Sequence, residues 1–177
     1  MKKEYTLSVI TEDQVGLMSR VSNIFTRRHI NIDSIIASES ELPGVHRFII
    51  VVHETLAQVQ KVAAQLEKEV EVIRAVCHEP GEVVYQEIAM YKVPTKSLCD
   101  GDEVERLIRS HNARLLCVEK EHTIIEKTGH KEETKRLFEA LKPYGILEFV
   151  RSGRVAISKS MKPIKEYLAE LESAGSN

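Results

Sequence analysis

The sequence is poor in the residues from which most nucleotide-binding and catalytic loops are made. It has 8 glycines in 177 residues, at 16, 44, 81, 101, 129, 145, 153 and 175, and no two lie close together. Neither a GxGxxG dinucleotide turn nor a GxxxxGK phosphate cradle can be written anywhere in it. Tryptophan is absent, and the three cysteines, Cys77, Cys99 and Cys117, form no CxxC pair. An odd number of widely spaced cysteines supports neither a disulfide framework nor a zinc ribbon, and points to a reducing cytoplasm. Long apolar runs are missing too. The longest, Phe48 to Val52, has five residues, against the roughly 20 a membrane helix needs. Lys2 and Lys3 are followed at once by Glu4, and the first apolar stretch ends at Glu12 and Asp13, which is not the pattern of a signal peptide. With 25 basic and 27 acidic side chains, the formal charge of −2 gives no nucleic-acid footprint.

Catalytic signatures are equally absent: there is no GxSxG, no HExxH and no EF-hand loop. The seven histidines (29, 46, 53, 78, 111, 122 and 130) are scattered, and the odd offset between His46 and His53 puts them on opposite faces of one strand. Cys77 and His78, being adjacent, split the same way. No metal site is therefore expected. Cys117, in the run LLCV, reads as a small buried hydrophobe. Asp100-Gly101-Asp102 reads as a helix cap, with cation contact as the other use of two nearby carboxylates. Arg27 and Arg28 fall at a helix C-terminus, where they complement the dipole and are expected to be solvated.

What is present is one pattern, written twice. Residues 5–11 alternate, with Tyr5, Leu7 and Val9 on one side, as in a half-buried strand. Asp13-Gln14-Val15-Gly16 breaks the alternation, and Leu17, Met18, Val21, Ile24 and Phe25 then recur at helical spacing. A strand over 32–40 ends at Leu42-Pro43-Gly44, and HRFIIVVHE (46–54) reads as a buried strand. Leu56, Val59, Val62, Ala63 and Leu66 mark a second helix, and VEVIRAV (70–76) a fourth strand. After a linker at 80–82 the order repeats, with a strand at 83–93, a helix with stripe Val104, Leu107 and Ile108, and a hairpin of 113–119 with 122–128. Leu137, Phe138 and Leu141 lie on a helix stopped by Pro143-Tyr144-Gly145. ILEFVR and RVAISK supply two short strands, and a last helix covers about 161–172.

The chain is thus α+β: two ferredoxin-like βαββαβ domains in tandem, antiparallel sheets with helices on one face. The boundaries are 1–79, a linker at 80–82, and 83–177 with a terminal helix. Domains of this size bury only about 60% of their unfolded surface, so oligomerisation is expected. Strand 32–40 (IDSIIASES) would lie at a sheet edge and has no Pro or Lys to block pairing. It predicts a dimer through that edge.

One segment has binding chemistry: the first strand-to-helix turn, from Thr11 to Leu17. A helix N-terminus presents free N–H groups and a dipole that favours an anion. Gly16, with no Cβ, allows a carboxylate to approach that backbone. Asp13 could pair with an ammonium group, and Asn31 can both donate and accept hydrogen bonds. Leu17, Met18 and Ile32 could form an apolar wall. Together these groups describe a site for a free apolar amino acid. The other reading makes Asp13 an N-cap and Gly16 a turn residue.

The stretch LSVITEDQVGLMSRVSNIFTRRHINIDSI (7–35) resembles an ACT domain, and more specifically the small regulatory subunit of acetolactate synthase (acetohydroxyacid synthase). That family carries E-[ND]-x-x-G-x-[LM]-S-R-[VI], then a helix ending near F-x-x-[RK]-x-x-N-I. The similarity continues through HRFIIVV and Val72-Ile73-Arg74. QEIAMYKV and EFVRSGRVAISK (148–159) resemble the family's C-terminal domain, so the likeness spans about residues 5–160. The resemblance implies a non-catalytic chain that activates a large subunit and makes it sensitive to valine, or to isoleucine or leucine. Thiamine diphosphate, Mg²⁺ and FAD would belong to that large subunit, with no cofactor in this chain. The family's effector site lies at the ACT dimer interface. By motif its members here would be Asp13, Gly16, Leu17, Met18, Asn31 and Ile32. Position 13 is commonly Asn in the family and is Asp here, while Met18 replaces a usual Leu with little change of volume. A stand-alone tandem ACT-type sensor in transcription or signalling, or an enzyme on the same scaffold, are the other uses of such a chain.

Overall fold

The computed structural model describes residues 1–99 and 102–175. The chain divides into two compact units, Met1–Val84 with everything from Arg154 onward, and Tyr85–Gly153. In the first unit the elements are β1 (Lys3–Glu12), α1 (Leu17–Arg27), β2 (Ile32–Glu39), β3 (Val45–Glu54), α2 (Leu56–Leu66) and β4 (Val72–His78). The strands form an antiparallel sheet in the order β2-β3-β1-β4. In the second unit come β5 (Val83–Pro94), α3 (Lys96–Cys99), α4 (Glu103–Ser110), β6 (Arg114–Val118), β7 (His122–Gly129), α5 (Lys131–Leu141) and, after a short 3₁₀ turn, β8 (Glu148–Arg151). Its order is β6-β7-β5-β8. The first unit is then completed by β9 (Val155–Ser158) and α6 (Ile164–Gly175).

Two βαββαβ sheets are therefore present, as the periodicity implies. The sequence reading gives 154–177 to the second domain, whereas Arg154 and the residues after it belong to the first unit. The reason is a face that needs covering. Tyr5, Leu7 and Val9 of β1 point into a core with Val21, Ile24 and Phe25 of α1 and Val59, Val62 and Leu66 of α2. Thr6, Ser8 and Ile10 point the other way and are buried as well. Ile10 packs with Val45 and Ile164, flanked by Met161, Tyr167 and Leu168 of the C-terminal segment. The Arg74 guanidinium lies 5.8 Å from the centre of the Tyr167 ring, a cation–π contact on the same side. β1 is thus not the half-buried strand its alternation predicts.

Polar residues on this second face are paired. The buried Arg154 donates to Thr6 Oγ1 at 2.8 Å and to Glu4 Oε1 at 2.6 Å. His78 Nε2 lies 3.0 Å from Ser8 Oγ. Burial lowers the His78 pKa below its ordinary 6.5, with a smaller opposing pull from Glu82.

Other departures are local. The fourth strand begins at Val72, not Val70, because Glu67–Glu71 form a turn that leaves Val70 almost fully exposed. Arg28 is not simply solvated: its Nε donates to Gln65 Oε1 at 2.9 Å and ties α1 to α2. Cys117 is only partly buried, on the exposed strand β6, with its Sγ 3.6 Å from Glu119 Oε1. Asp102 is the N-cap of α4, without a side-chain cap bond, while Asp100 lies outside the described residues.

The second unit packs Ala89, Tyr91 and Val93 of β5 against Val104 and Ile108 of α4 and Leu137 and Leu141 of α5. Tyr91 satisfies its hydroxyl by donating to the Thr134 carbonyl at 2.6 Å. The start of α5 is closed by Glu133, whose Oε2 accepts from the His130 N–H at 2.7 Å. That carboxylate folds back over Gly129, where a Cβ would come within 3.0 Å of it.

Two outcomes follow from the covered face of β1. Ile164→Ala should cost about 2–4 kcal/mol by creating a cavity, and Leu171→Ala, at a half-exposed site, within about 0.5 kcal/mol; urea unfolding measures both. His78 is held neutral when folded and takes up a proton more readily when unfolded. Its contribution is therefore full above its ordinary pKa and declines as pH falls from there toward the depressed folded value. His78→Gln should flatten the dependence of the urea midpoint on pH between about 7.5 and 5, where an unperturbed histidine begins to titrate.

Candidate functional site

The turn after β1 is built by backbone. Glu12 ends the strand, and the Asp13 N–H donates to the Gly44 carbonyl at 2.9 Å, which fixes the turn against the β2–β3 connection. Gly16 is the N-cap of α1 with φ +82°, a left-handed conformation, and no side chain caps the helix. The helical hydrogen bonds begin with Arg20 N–H to Gly16 O at 3.2 Å. Among the described residues no acceptor reaches the N–H groups of Met18 or Ser19. The first turn carries no acidic side chain, and its one basic group, Arg20, is engaged by Glu71 at 2.7 Å. The N-terminus of α1 therefore presents its positive dipole end and donors uncompensated. A Cβ at Gly16 would meet nothing within 4 Å, so this backbone borders open space.

The reading of Asp13 as the N-cap fails, because Gly16 takes that position. The Asp13 carboxylate is mostly exposed and lies 3.7 Å from His46 Nε2, with no Lys or Arg ion partner among the described residues. It is available to a ligand cation. Leu17 is not part of an apolar wall: it is 3% exposed and belongs to the core. Met18, at 41%, and Val15, fully exposed, are the apolar groups at the turn. Val15 was missed by pattern reading because nothing distinguishes an exposed valine in a turn from the start of a helical stripe.

Asn31 and Ile32 are elsewhere in the same unit. Ile32 pairs with Val52, which pairs with Tyr5, near one end of β1. Glu39 pairs with His46, which pairs with Thr11, at the other end. Six strand residues separate these levels, about 20 Å at the usual rise. Within one protomer the Asp13–Met18 turn and the Asn31–Ile32 pair do not form one pocket. β2 is hydrogen-bonded only to β3 and is a sheet edge.

Thiol chemistry is not favoured at the two cysteines whose side chains are described. Burial, with Glu82 and Glu79 nearby, pushes the Cys77 thiol up to about 11. Desolvation and Glu119 raise that of Cys117. Among the described residues no three His, Cys, Asp or Glu side chains converge as metal ligands, and no helix is long and apolar enough to cross a membrane.

A βαββαβ sheet with a glycine turn opening its first helix and a second strand at the sheet edge has the architecture of an ACT-type domain. Residues 7–74 match the acetohydroxyacid synthase small subunit-like ACT domain, and residues 86–160 match the small subunit of acetolactate synthase. The acetolactate synthase small subunit of Mycolicibacterium smegmatis is 34% identical over 160 residues, covering 90% of this chain and 94% of that one. The Bacillus subtilis small subunit is 32% identical, covering 90% and 91%. The crystal structure of the Thermotoga maritima small subunit superposes with a TM-score of 0.81 at 30% identity, over 90% of this chain and 99% of that one. The chain belongs to the acetolactate synthase small-subunit family, which implies a regulatory role in branched-chain amino-acid biosynthesis.

Gly16→Ala should reveal the backbone requirement by itself. Space for the methyl is available, so the cost is the left-handed conformation alone, about 1 kcal/mol in urea unfolding. Gly16→Asn, which tolerates that conformation, should cost less.

Proposed function

We propose that this chain activates the large, catalytic subunit of acetolactate synthase and renders it sensitive to feedback by a branched-chain amino acid, with valine the first candidate. The observation that carries the effector site is the open N-terminus of α1 at Gly16. Its unpaired N–H groups suit a carboxylate, Asp13 suits the ammonium, and Met18 the aliphatic side chain.

The proposal needs two protomers. An isologous antiparallel pairing of β2 edges, centred on Ile35, sets residue 31 of one chain level with Glu39 of the other, next to Ser40. Ser40 N–H donates to the Val45 carbonyl at 2.8 Å, and Val45 pairs with Glu12, beside the effector turn. Asn31 and Ile32 of the partner subunit then come beside Asp13, Gly16 and Met18, supplying what one protomer lacks. Leu17 contributes only backbone. Such a homodimer makes two effector sites across one interface. An effector that binds one dimer geometry better than another shifts the population between them, with a coupling of about 1–3 kcal/mol typical of allosteric proteins. In this reading the chain holds no cofactor; thiamine diphosphate, Mg²⁺ and FAD belong to the catalytic partner, and both work in the cytoplasm.

The test is reconstitution with the catalytic subunit and measurement of acetolactate formation against valine. Wild-type chain should raise the rate and confer inhibition. Gly16→Asp sets a like charge about 4 Å from the effector carboxylate, a repulsion of about 4 kcal/mol at an effective dielectric near 20, or about a thousandfold in affinity. Stimulation should persist while valine inhibition disappears. Inhibition at the wild-type valine concentration would place the site elsewhere, and absence of stimulation by the wild-type chain would remove the regulatory role.

A further inference from the structure

The second unit contains a concave site that the effector reading does not use. It is a cleft of about 310 Å³ lined by Ser110, His111 and Asn112 at the end of α4, Lys127 of β7, and Glu133 and Arg136 of α5. Lys127 is the unusual member. It shares a sheet face with Thr123 and Ile125, which are fully buried, and with Ala89, its strand partner. An apolar residue is what this row calls for, yet a lysine stands there, 7% exposed. Among the described residues no hydrogen bond or close ion pair engages its ammonium, which acts through space on the Glu126 and Glu133 carboxylates. Buried lysines are rarely left this way, because desolvating an ammonium without a partner is costly.

Each carboxylate nearby has a direct partner other than Lys127. Glu133 uses Oε2 to close the start of α5 through the His130 N–H. Glu87, on the same sheet face, is paired with Arg151 at 3.4 Å. Arg136 adds a second permanent positive charge at the cleft; among the described residues no hydrogen bond or close ion pair holds it, and it acts through space on Glu133. Two permanent cations and the His111 imidazole thus share the cleft with one carboxylate, Glu133, which closes the helix start and attracts both cations without a direct contact. Asn112, held at φ +50°, and Ser110 add polar groups at the rim.

We infer that this cleft is an oxyanion site, which takes a small molecule bearing a phosphate or carboxylate group between Lys127 and Arg136. A guanidinium and an ammonium converging on one cavity are the usual recognition elements for such groups. The volume accommodates a metabolite-sized ligand rather than a bare ion.

The experiment titrates the full-length chain with potassium phosphate and, separately, sodium acetate, at constant ionic strength maintained with chloride, and follows backbone amide resonances. Saturable shifts confined to residues 110–112, 127–128 and 131–136 are expected with at least one of the two. A stronger response to phosphate identifies a phosphate ester as the ligand class, and a stronger response to acetate a carboxylate. Lys127→Met, which keeps the length and apolar contacts of the side chain, should weaken binding at least tenfold. Arg136→Gln, at an exposed position, should weaken it severalfold and decides the matter if the Lys127 variant does not fold. Absence of saturable shifts with both anions, or unchanged affinity in the folded variants, would overturn the assignment.

Discussion

The first unit depends on the burial of β1 from both sides. A βαββαβ chain makes two helices, which cover one face of a four-stranded sheet and leave the other bare. Here the bare face is closed by residues after 153, with Ile164 set on Ile10 and Val45. The small polar residues Thr6 and Ser8 can sit inside because Arg154 and His78 meet them with hydrogen bonds. An arginine so deeply buried is tolerated only with partners of this kind, and Glu4 supplies the countercharge. The same packing brings the last helix into the unit that begins with residue 1, although more than sixty residues of another sheet intervene.

The second unit solves the same problem differently. Its helices bury one face around Tyr91, Ile125 and Leu137, while Ile88, Met90 and Val150 remain exposed on the other. On the helical face the apolar filling stops at Ile125, and the row continues with Lys127. Charge replaces core where α4 ends and α5 begins. Glu133, folded close over Gly129, closes the helix start there and acts on the lysine only through space.

The effector turn relies on a different economy. Its donors are main-chain groups at a helix start, oriented by the fold rather than by side-chain rotamers, and no acidic residue in the first helical turn competes for them. A site of this type asks little of the sequence beyond a glycine in the left-handed conformation and open space beside it. Complementary groups at the far end of the same sheet become useful only when a two-fold axis at the β2 edge brings the ends together. That requirement links ligand binding to the assembly of the subunits, which is what a regulatory chain needs in order to transmit occupancy.

Much of this is legible in the sequence. The alternation of Tyr5, Leu7 and Val9, the helical stripe from Leu17 to Phe25, and their repetition after residue 83 determined the elements and the two sheets, because periodicity follows directly from the geometry of strands and helices. Gly16 was legible as a special turn residue, and the motifs around it as those of the family. Three things were decided only by tertiary structure. Thr6 and Ser8 look like solvent positions until Arg154 and His78, distant in sequence, are placed against them. Leu17 looks like a ligand wall until the helix rotates it into the core. Asp13 and Asn31 look like members of one pocket until strand register puts them at opposite levels of the sheet. In each case local pattern reports which face a residue occupies, while what covers that face depends on contacts made by parts of the chain that no local window contains.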